Sequence, residues 1–218
     1  MKSNRVLLMV TVFCVTVGVL LLAARWYRQR EGARLAAVAT APNGQERLVR
    51  DYAPWKGAAN GKVTIVEFFD PECESCRAAH PWTEALLQEF SGQVRLVLRY
   101  AAFHPNSKFA IQVLEAARLQ GRYWETLEVL FQHQPEWGSH HHPQPERIWT
   151  YLPQVQGLDV ERVRRELQSE TTSRAIMQDA MDGEALGVRM TPAFFVNGKP
   201  LENFGQDPLR AMVIEALR

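Results

Sequence analysis

Two cysteines separated by two residues, at the point where an apolar strand passes into a helix, constrain this chain most. Residues 63–69, VTIVEFF, are rich in β-branched and aromatic residues and predict a strand. The segment PECESC follows at once and contains Cys73 and Cys76. Apolar residues then recur at intervals of three and four up to residue 90, which predicts a helix kinked by Pro81. The chain must therefore fold so that a cysteine pair lies at a strand-to-helix junction.

The remaining patterns give an order of elements. A second strand is predicted over residues 93–100, and helices over residues 107–120, 122–134, about 160–167 and 169–186. In the last of these, Ile176, Met177, Ala180 and Met181 are expected to face inward. The segment TPAFFVNGKPL, residues 191–201, predicts a hairpin with an Asn-Gly turn, and a final helix follows.

This order, strand, helix, strand, several helices, hairpin, helix, predicts an α/β fold. A parallel crossover needs only about a dozen residues. The stretch from about residue 103 to residue 187 is much longer, so we interpret it as an inserted helical subdomain.

The N-terminus predicts a membrane anchor. Residues 6–24 contain no charged side chain, and 19 such residues form a helix about 28 Å long, close to the hydrocarbon thickness of a bilayer. A cleaved signal peptide is the alternative, but the run is long for one and LAARWYRQR offers a poor cleavage site. We therefore expect a cytoplasmic segment at residues 1–5, an uncleaved transmembrane helix at 6–24, a tether at 25–57 and a folded domain at 58–218. Positive charges lie on both sides of the span and do not settle its orientation.

Composition excludes some classes of protein. The formal net charge of +1 gives no indication of a nucleic-acid partner. Of the three cysteines, Cys14 lies in the N-terminal apolar run, which leaves one pair in the folded part. A small disulfide-stapled fold would need more cysteines in a shorter chain.

Four features taken together resemble one family. They are the Cys-x-x-Cys pair in FFDPECESC, Glu67 in the preceding strand, Pro81 in the following helix, and Thr191-Pro192 in GVRMTPAFFVNG. Residues 58–218 resemble the thioredoxin superfamily, and most closely its DsbA-like branch, in which a helical domain is inserted in a thioredoxin fold. The resemblance implies a thioredoxin fold with an inserted helical subdomain, preceded here by the transmembrane helix.

The resemblance also implies roles for four residues. Cys73 is the expected nucleophile, Cys76 the resolving cysteine, Pro192 a cis-proline facing them and Glu67 a buried acid beneath Cys76. Thr191, just before Pro192, is expected to contact the substrate or the sulfur of Cys73. Elementary chemistry supports this assignment, because a helix N-terminus favours a thiolate and a carboxylate in an apolar strand has a raised pKa suited to accepting a proton.

Four neighbours are expected to tune the pair. Glu74 and Ser75 lie between the cysteines, with Glu72 before them and Arg77 after them. Two carboxylates disfavour a nearby thiolate, so we expect a raised pKa at Cys73 and a weaker oxidant than DsbA proteins with Pro-His at these positions. Arg77 and the helix terminus oppose this effect.

These observations predict a membrane-anchored thiol–disulfide oxidoreductase that acts on cysteines of exported proteins. We expect it in a bacterial inner membrane as a single-pass protein with a periplasmic catalytic domain, a membrane redox partner and no cofactor. Three alternatives stay open: a thiol reductase for cytochrome or metal-site maturation, a metallochaperone that uses the cysteine pair, and a binding or chaperone module with a vestigial site. The histidine run at residues 140–142 is interpreted as a polar loop, and no resident metal is expected, because a closed zinc site needs four ligands.

Overall fold

The computed structural model of the protein describes residues 2–40, 42–139 and 141–218. Its strands are β1 (Trp55–Gly57), β2 (Val63–Phe69), β3 (Val94–Tyr100), β4 (Ala193–Val196) and β5 (Lys199–Pro200). Its α-helices are α1 (Lys2–Thr40), α2 (Pro42–Leu48), α3 (Glu74–Glu89), α4 (Ser107–Arg118), α5 (Tyr123–Gln132), α6 (Gln134–Trp137), α7 (Ile148–Tyr151), α8 (Val160–Glu166), α9 (Glu170–Ala185) and α10 (Gln206–Leu217). Two 3-10 helices, Pro145–Arg147 and Leu152–Gln154, flank α7.

The five strands form one mixed sheet in the order β1-β3-β2-β4-β5. Strands β2 and β3 are parallel, and the other neighbours are antiparallel. Helix α3 connects β2 to β3, and helices α4 to α9 lie between β3 and β4 in the sequence. The expected order of elements and the helical insertion are therefore present.

The central strand β2 is buried on both faces of the sheet. Val66 and Phe68 pack in one apolar cluster, while Ile65 and Phe69 pack in a second cluster that also contains Cys76. Because side chains alternate along a strand, Glu67 lies on the same face as Ile65 and Phe69. The sheet thus directs this carboxyl group toward the layer that contains the cysteines.

The predicted boundary of the folded domain at residue 58 is wrong. Strand β1 lies before that boundary and pairs with β3, and Leu48 and Ala53 are buried against Val97 and Phe68 in the core. These short apolar and aromatic segments carry no periodic signal of their own, so the sequence alone does not distinguish them from a tether.

A buried arginine on β3 holds this N-terminal segment in place. Arg99 has no exposed surface and donates to Asp179 Oδ1 at 2.7 Å, to Asp182 Oδ2 at 2.8 Å and to the Leu48 carbonyl at 3.0 Å. Arg50 adds a bidentate pair with Asp182, with nitrogen–oxygen distances of 2.7 and 2.8 Å. The network joins β3, α9 and the segment after α2.

The inward face predicted for α9 is wrong for three of its four residues. Ile176 packs against the core as predicted, but Ala180 and both methionines are exposed. Met177 and Met181 are 63% and 59% exposed. The buried face contains Ala175, Asp179, Asp182 and Gly183 instead. The two aspartates face inward because Arg99 lies opposite them, so an ion-pair network rather than an apolar stripe determines how the helix is rotated.

The N-terminal part of the chain is more helical than predicted. Helix α1 extends without a break from Lys2 to Thr40, through much of the segment expected to be a tether. Across the described residues, none of the helices has the combination of length and apolar character that crossing a bilayer requires. The anchor at residues 6–24 therefore stays a prediction.

Candidate active site

The cysteine pair lies where β2 ends and α3 begins. The Cys73 amide donates to the Asp70 carbonyl at 3.0 Å, which closes a turn, and Cys73 then caps the helix in an extended conformation. Cys73 is 7% exposed and Cys76 is fully buried in the first turn of α3. Both are free thiols in this structure. Only the first sulfur therefore has access to a partner from solution.

The environment of Cys73 strongly favours its thiolate. Its pKa is lowered to about 5, chiefly by a hydrogen bond from the Cys76 side chain, while burial opposes this shift. Hydrogen bonds from the Thr191 side chain and from the backbone amides of Cys76 and Ser75 lower it further. These amides belong to the first turn of α3, where backbone N–H groups have no partner within the helix. Cys73 therefore has the low pKa expected of the predicted nucleophile.

The expected rise in the pKa of Cys73 is wrong, because the two carboxylates do not face its sulfur. Glu72 is 3% exposed, and its carboxylate accepts from the Asn106 amide and from the Asn106 side chain, both at 2.7 Å. It therefore anchors the start of α4. Glu74 is exposed, where water and salt screen its charge.

Cys76 has the opposite chemistry. Its pKa is raised well above the usual value by burial first, and then by Cys73 and by the charge of Glu67. The Asp70 amide donates to its sulfur at 3.4 Å. One thiol of the pair is thus ionised near neutral pH and the other is protonated.

Glu67 is the buried acid that the sequence predicted. It is 3% exposed, and burial followed by the charge of Cys73 raises its pKa to about 8. A carboxyl group with that pKa exchanges a proton readily near neutral pH. It is therefore suited to take the proton from Cys76 or to return it.

The loop before β4 completes the site. The Thr191–Pro192 peptide bond is cis, as predicted. The Thr191 carbonyl oxygen lies 3.4 Å from Cys73 Sγ and accepts from the thiol. A backbone segment next to the reactive sulfur is a place where an extended substrate can lie against the site.

Arg77, which is expected to favour the thiolate of Cys73, also takes part in holding the cysteine loop. Its Nε donates to Gln134 Oε1 at 2.9 Å, and Gln134 Nε2 donates to the carbonyls of Pro71 and Cys73 at 2.7 and 3.0 Å. Gln134 is buried in the helical insertion and holds the cysteine loop. Sequence reasoning missed it, since a single glutamine far along the chain carries no local signal.

One group of side chains among the described residues has the spacing of metal ligands. His80, Glu84 and Glu128 place one donor atom each within 4.8 Å of one another. His80 Nε2 already lies 2.7 Å from Glu128, and Lys56 Nζ lies 2.6 Å from Glu84. The group includes neither cysteine. Of the predicted histidine loop, His141 and His142 are exposed, and His140 lies outside the described residues.

A dithiol of this kind, with one ionised and one protonated sulfur beside a proton-exchanging acid, can carry out thiol–disulfide exchange. A family model described as Thioredoxin matches residues 50–215. The chain belongs to the thioredoxin family.

Known proteins agree with this assignment. A thioredoxin-like oxidoreductase from Silicibacter pomeroyi DSS-3 is 29% identical with a TM-score of 0.68, and the match covers 79% of this chain and 97% of that chain. BdbD from Bacillus subtilis is 23% identical with a TM-score of 0.67, over 76% of this chain and 92% of that chain, which shows the fold alone. Because nearly the whole of each neighbour is matched, the helical insertion is shared with them. The predicted membership of the thioredoxin superfamily is confirmed by the family model.

Part of a protein named as an antiporter is also similar in sequence to this chain. The Na(+)/H(+) antiporter NhaA of Herminiimonas arsenicoxydans is 31% identical over 163 residues, which are 75% of this chain and 25% of that protein. The chain thus spans about a quarter of the length of the curated relatives that it matches. The likeness concerns a segment of the antiporter protein.

Proposed function

We propose that this protein donates disulfide bonds to cysteines of exported proteins. The observation that carries the proposal is the division of roles between the two thiols, a thiolate-favouring Cys73 at the start of α3 and a protonated, buried Cys76 behind it. A cysteine with a low pKa is a good leaving group, and its thiolate stabilises the reduced form of the pair.

The reaction balances in two exchanges. A substrate thiolate attacks Cys73 Sγ of the Cys73–Cys76 disulfide, and Cys76 leaves as a thiolate that takes a proton from Glu67. A second substrate thiolate then attacks the substrate sulfur of this mixed disulfide, and Cys73 leaves as a thiolate. The substrate loses two electrons and gains a disulfide, while the protein is reduced to the dithiol.

The arrangement favours donation over reduction of substrate disulfides. At pH 7 a thiol with a pKa of about 5 is about 99% ionised, so the dithiol form is stabilised and the disulfide is oxidising. The alternative, a reductase for cytochrome or metal-site maturation, requires a less oxidising pair.

The location is part of the proposal. We infer a single N-terminal anchor at residues 6–24 in a bacterial inner membrane, with the catalytic domain in the periplasm, where thiol oxidation persists. The uncharged run of sequence and the oxidising chemistry of the site support this inference. A membrane protein that reoxidises the dithiol is the partner such a protein requires after each turnover.

The activity is tested with oxidised full-length protein and a reduced peptide that carries two cysteines. We expect mass spectrometry to show one peptide disulfide per protein molecule. Cys73→Ser and Cys76→Ser both abolish the reaction because neither variant can form the disulfide, whereas Cys76→Ser offered a disulfide peptide accumulates a mixed disulfide at Cys73. Cys14→Ser is the control, since Cys14 is exposed on α1, and its activity is unchanged. If the protein leaves the peptide reduced but reduces a disulfide peptide, the reductase alternative is correct.

The location is tested in bacterial cells that express the full chain. We expect the protein to stay with the membrane after alkaline carbonate extraction, and a periplasm-dependent reporter fused after Arg218 to be active. A variant with Leu20→Arg and Leu21→Arg places two charges in the span, each costing about 3 kcal/mol, and is expected in the soluble fraction. Extraction of the unmodified chain would contradict the anchor.

A further inference from the structure

A buried aspartate links the cysteine loop to the loop that leads into the helical insertion. Asp70 has no exposed surface, and its Oδ1 accepts from the Glu72 amide at 2.9 Å. Its Oδ2 accepts from the amides of Phe103 and His104 at 2.8 and 3.1 Å and lies 2.8 Å from His104 Nδ1. Its own amide donates to Cys76 Sγ. Asp70 therefore contacts both Cys76 of the site and His104, the residue that supplies a positive charge opposite the aspartate.

The site would carry too much negative charge without that partner. The acidic groups that act on His104 are Asp70 and Glu72 from the β2–α3 loop and the thiolate of Cys73 at the start of α3. From α4, Ser107 Oγ accepts from the His104 amide at 3.1 Å. A buried carboxylate three residues from a thiolate raises the energy of that thiolate unless a positive charge compensates.

We propose that His104, in its protonated form, is a positioning residue that neutralises Asp70 and thereby favours the thiolate of Cys73. The inference rests on the proposed function, because it assigns a second source of the reactivity of the same cysteine. The two residues between the cysteines, Glu74 and Ser75, supply no positive charge that could stabilise the thiolate. His104 supplies that charge instead.

The electrostatics are reciprocal. Burial lowers the pKa of His104, but the hydrogen bond and charge of Asp70 outweigh it, and the charge of the Cys73 thiolate raises the pKa further. Coupling between two sites acts equally in both directions, so the imidazolium that the thiolate stabilises also stabilises the thiolate. The hydrogen bonds to Cys73 from Cys76, Thr191 and the helix amides provide the larger share.

The contribution is measured by titrating Cys73 in the reduced full-length protein, through its thiolate absorbance and its rate of alkylation, in a Cys14→Ser background. We expect His104→Gln to raise the pKa of Cys73 by about one unit, and His104→Lys to raise it by less. His133→Gln is the control, since His133 also contacts a carboxylate, Glu136, but in the helical insertion. This control is expected to leave the pKa of Cys73 unchanged.

Two results would overturn the inference. In the first, Cys73 has the same pKa in His104→Gln as in the His133→Gln control. In the second, His104→Lys raises the pKa of Cys73 as far as His104→Gln does, which would mean that geometry rather than charge is responsible. If His104→Gln does not fold, the pKa of His104 is followed by NMR in the reduced protein and in Cys73→Ser. We expect it to be lower in Cys73→Ser, and equal values would refute the coupling. A wild-type protein that never forms the Cys73–Cys76 disulfide would instead refute the proposed function.

Discussion

Replacing Glu67 with glutamine is expected to raise the stability of the fold near neutral pH and to lower the rate of thiol–disulfide exchange. Glu67 lies in the central strand with 3% of its surface exposed and has a pKa raised to about 8, against 4.5 for an unburied carboxyl. In the unfolded chain the group ionises near its usual pKa. Between these two values the folded protein holds a proton that the unfolded chain has lost, so folding becomes less favourable as pH rises.

The magnitude follows from the size of the pKa shift. Each unit is worth about 1.4 kcal/mol, so at pH 7 the ionisable group lowers the free energy of unfolding by up to about 3 kcal/mol relative to a neutral group of the same shape. The Glu67→Gln substitution introduces such a neutral group. We expect the variant to match the parent protein in stability near pH 4 and to exceed it by about 2–3 kcal/mol at pH 7.

The assay is urea unfolding of the reduced proteins across about pH 4 to 8. Both proteins carry Cys73→Ser, because the thiolate of Cys73 is coupled to Glu67 and its contribution would not cancel in the difference, while burial, the larger cause of the shift, remains. Glu74→Gln is the matched control, because Glu74 is exposed, and its difference from the parent is expected to stay flat. A Glu67→Gln difference that does not change with pH would refute the claim that Glu67 has a raised pKa in the fold.

The same variant is expected to lose activity while it gains stability. Without a proton donor for the departing Cys76 thiolate, attack of a substrate thiolate on the Cys73–Cys76 disulfide slows by about 100-fold, the usual contribution of general acid–base catalysis. Stopped-flow measurement of mixed-disulfide formation gives this rate. An unchanged rate would assign proton transfer to water or to another group.

Three further predictions concern the surroundings of the site. Alkylation of Cys73 by iodoacetamide is expected to be half-maximal near pH 5, the pH at which its thiolate forms, and a midpoint above about pH 7 would contradict the observed environment. Arg99→Met leaves the buried carboxylate of Asp179 without its cationic partner and is expected to lower the free energy of unfolding by about 3–5 kcal/mol in urea, whereas a loss below about 1 kcal/mol would mean that the network contributes little. Glu72→Gln weakens the hydrogen bonds to Asn106 and is expected to cost about 1–2 kcal/mol while the titration of Cys73 stays within about half a unit. A larger fall in the pKa of Cys73 would restore the original prediction that Glu72 opposes the thiolate.

The cysteine pair and its immediate frame could be predicted because their signals are local. An apolar strand, a Cys-x-x-Cys segment and a helical stripe are adjacent in the sequence, and Thr191-Pro192 opens a recognisable strand. Glu67 was found because a carboxylate among large apolar side chains is unusual in a strand. Each of these features is visible within about ten residues.

The errors come from contacts between distant parts of the chain. Whether Glu72 faces the thiol or α4 depends on Asn106, 34 residues away. The orientation of α9 depends on Arg99, 80 residues before Asp179. Such pairs leave no periodic pattern, because a single buried polar residue is satisfied by a single partner. The edge strand β1 was missed for a related reason, since three residues are too few to show alternation.

The reduction potential of the Cys73–Cys76 pair tests the central claim most directly. Thioredoxin, with a nucleophile pKa of about 7, has a potential of about −270 mV. Compared with thioredoxin, a pKa of about 5 at Cys73 stabilises the dithiol at pH 7 by about 2 kcal/mol, which raises the reduction potential by about 50 mV. Because Cys73 is partly screened by solvent, we expect a smaller rise of about 30 mV. Equilibration of the full-length protein with glutathione is therefore expected to give about −240 mV or a less negative value. A potential at or below that of thioredoxin would contradict disulfide donation and favour a reductase.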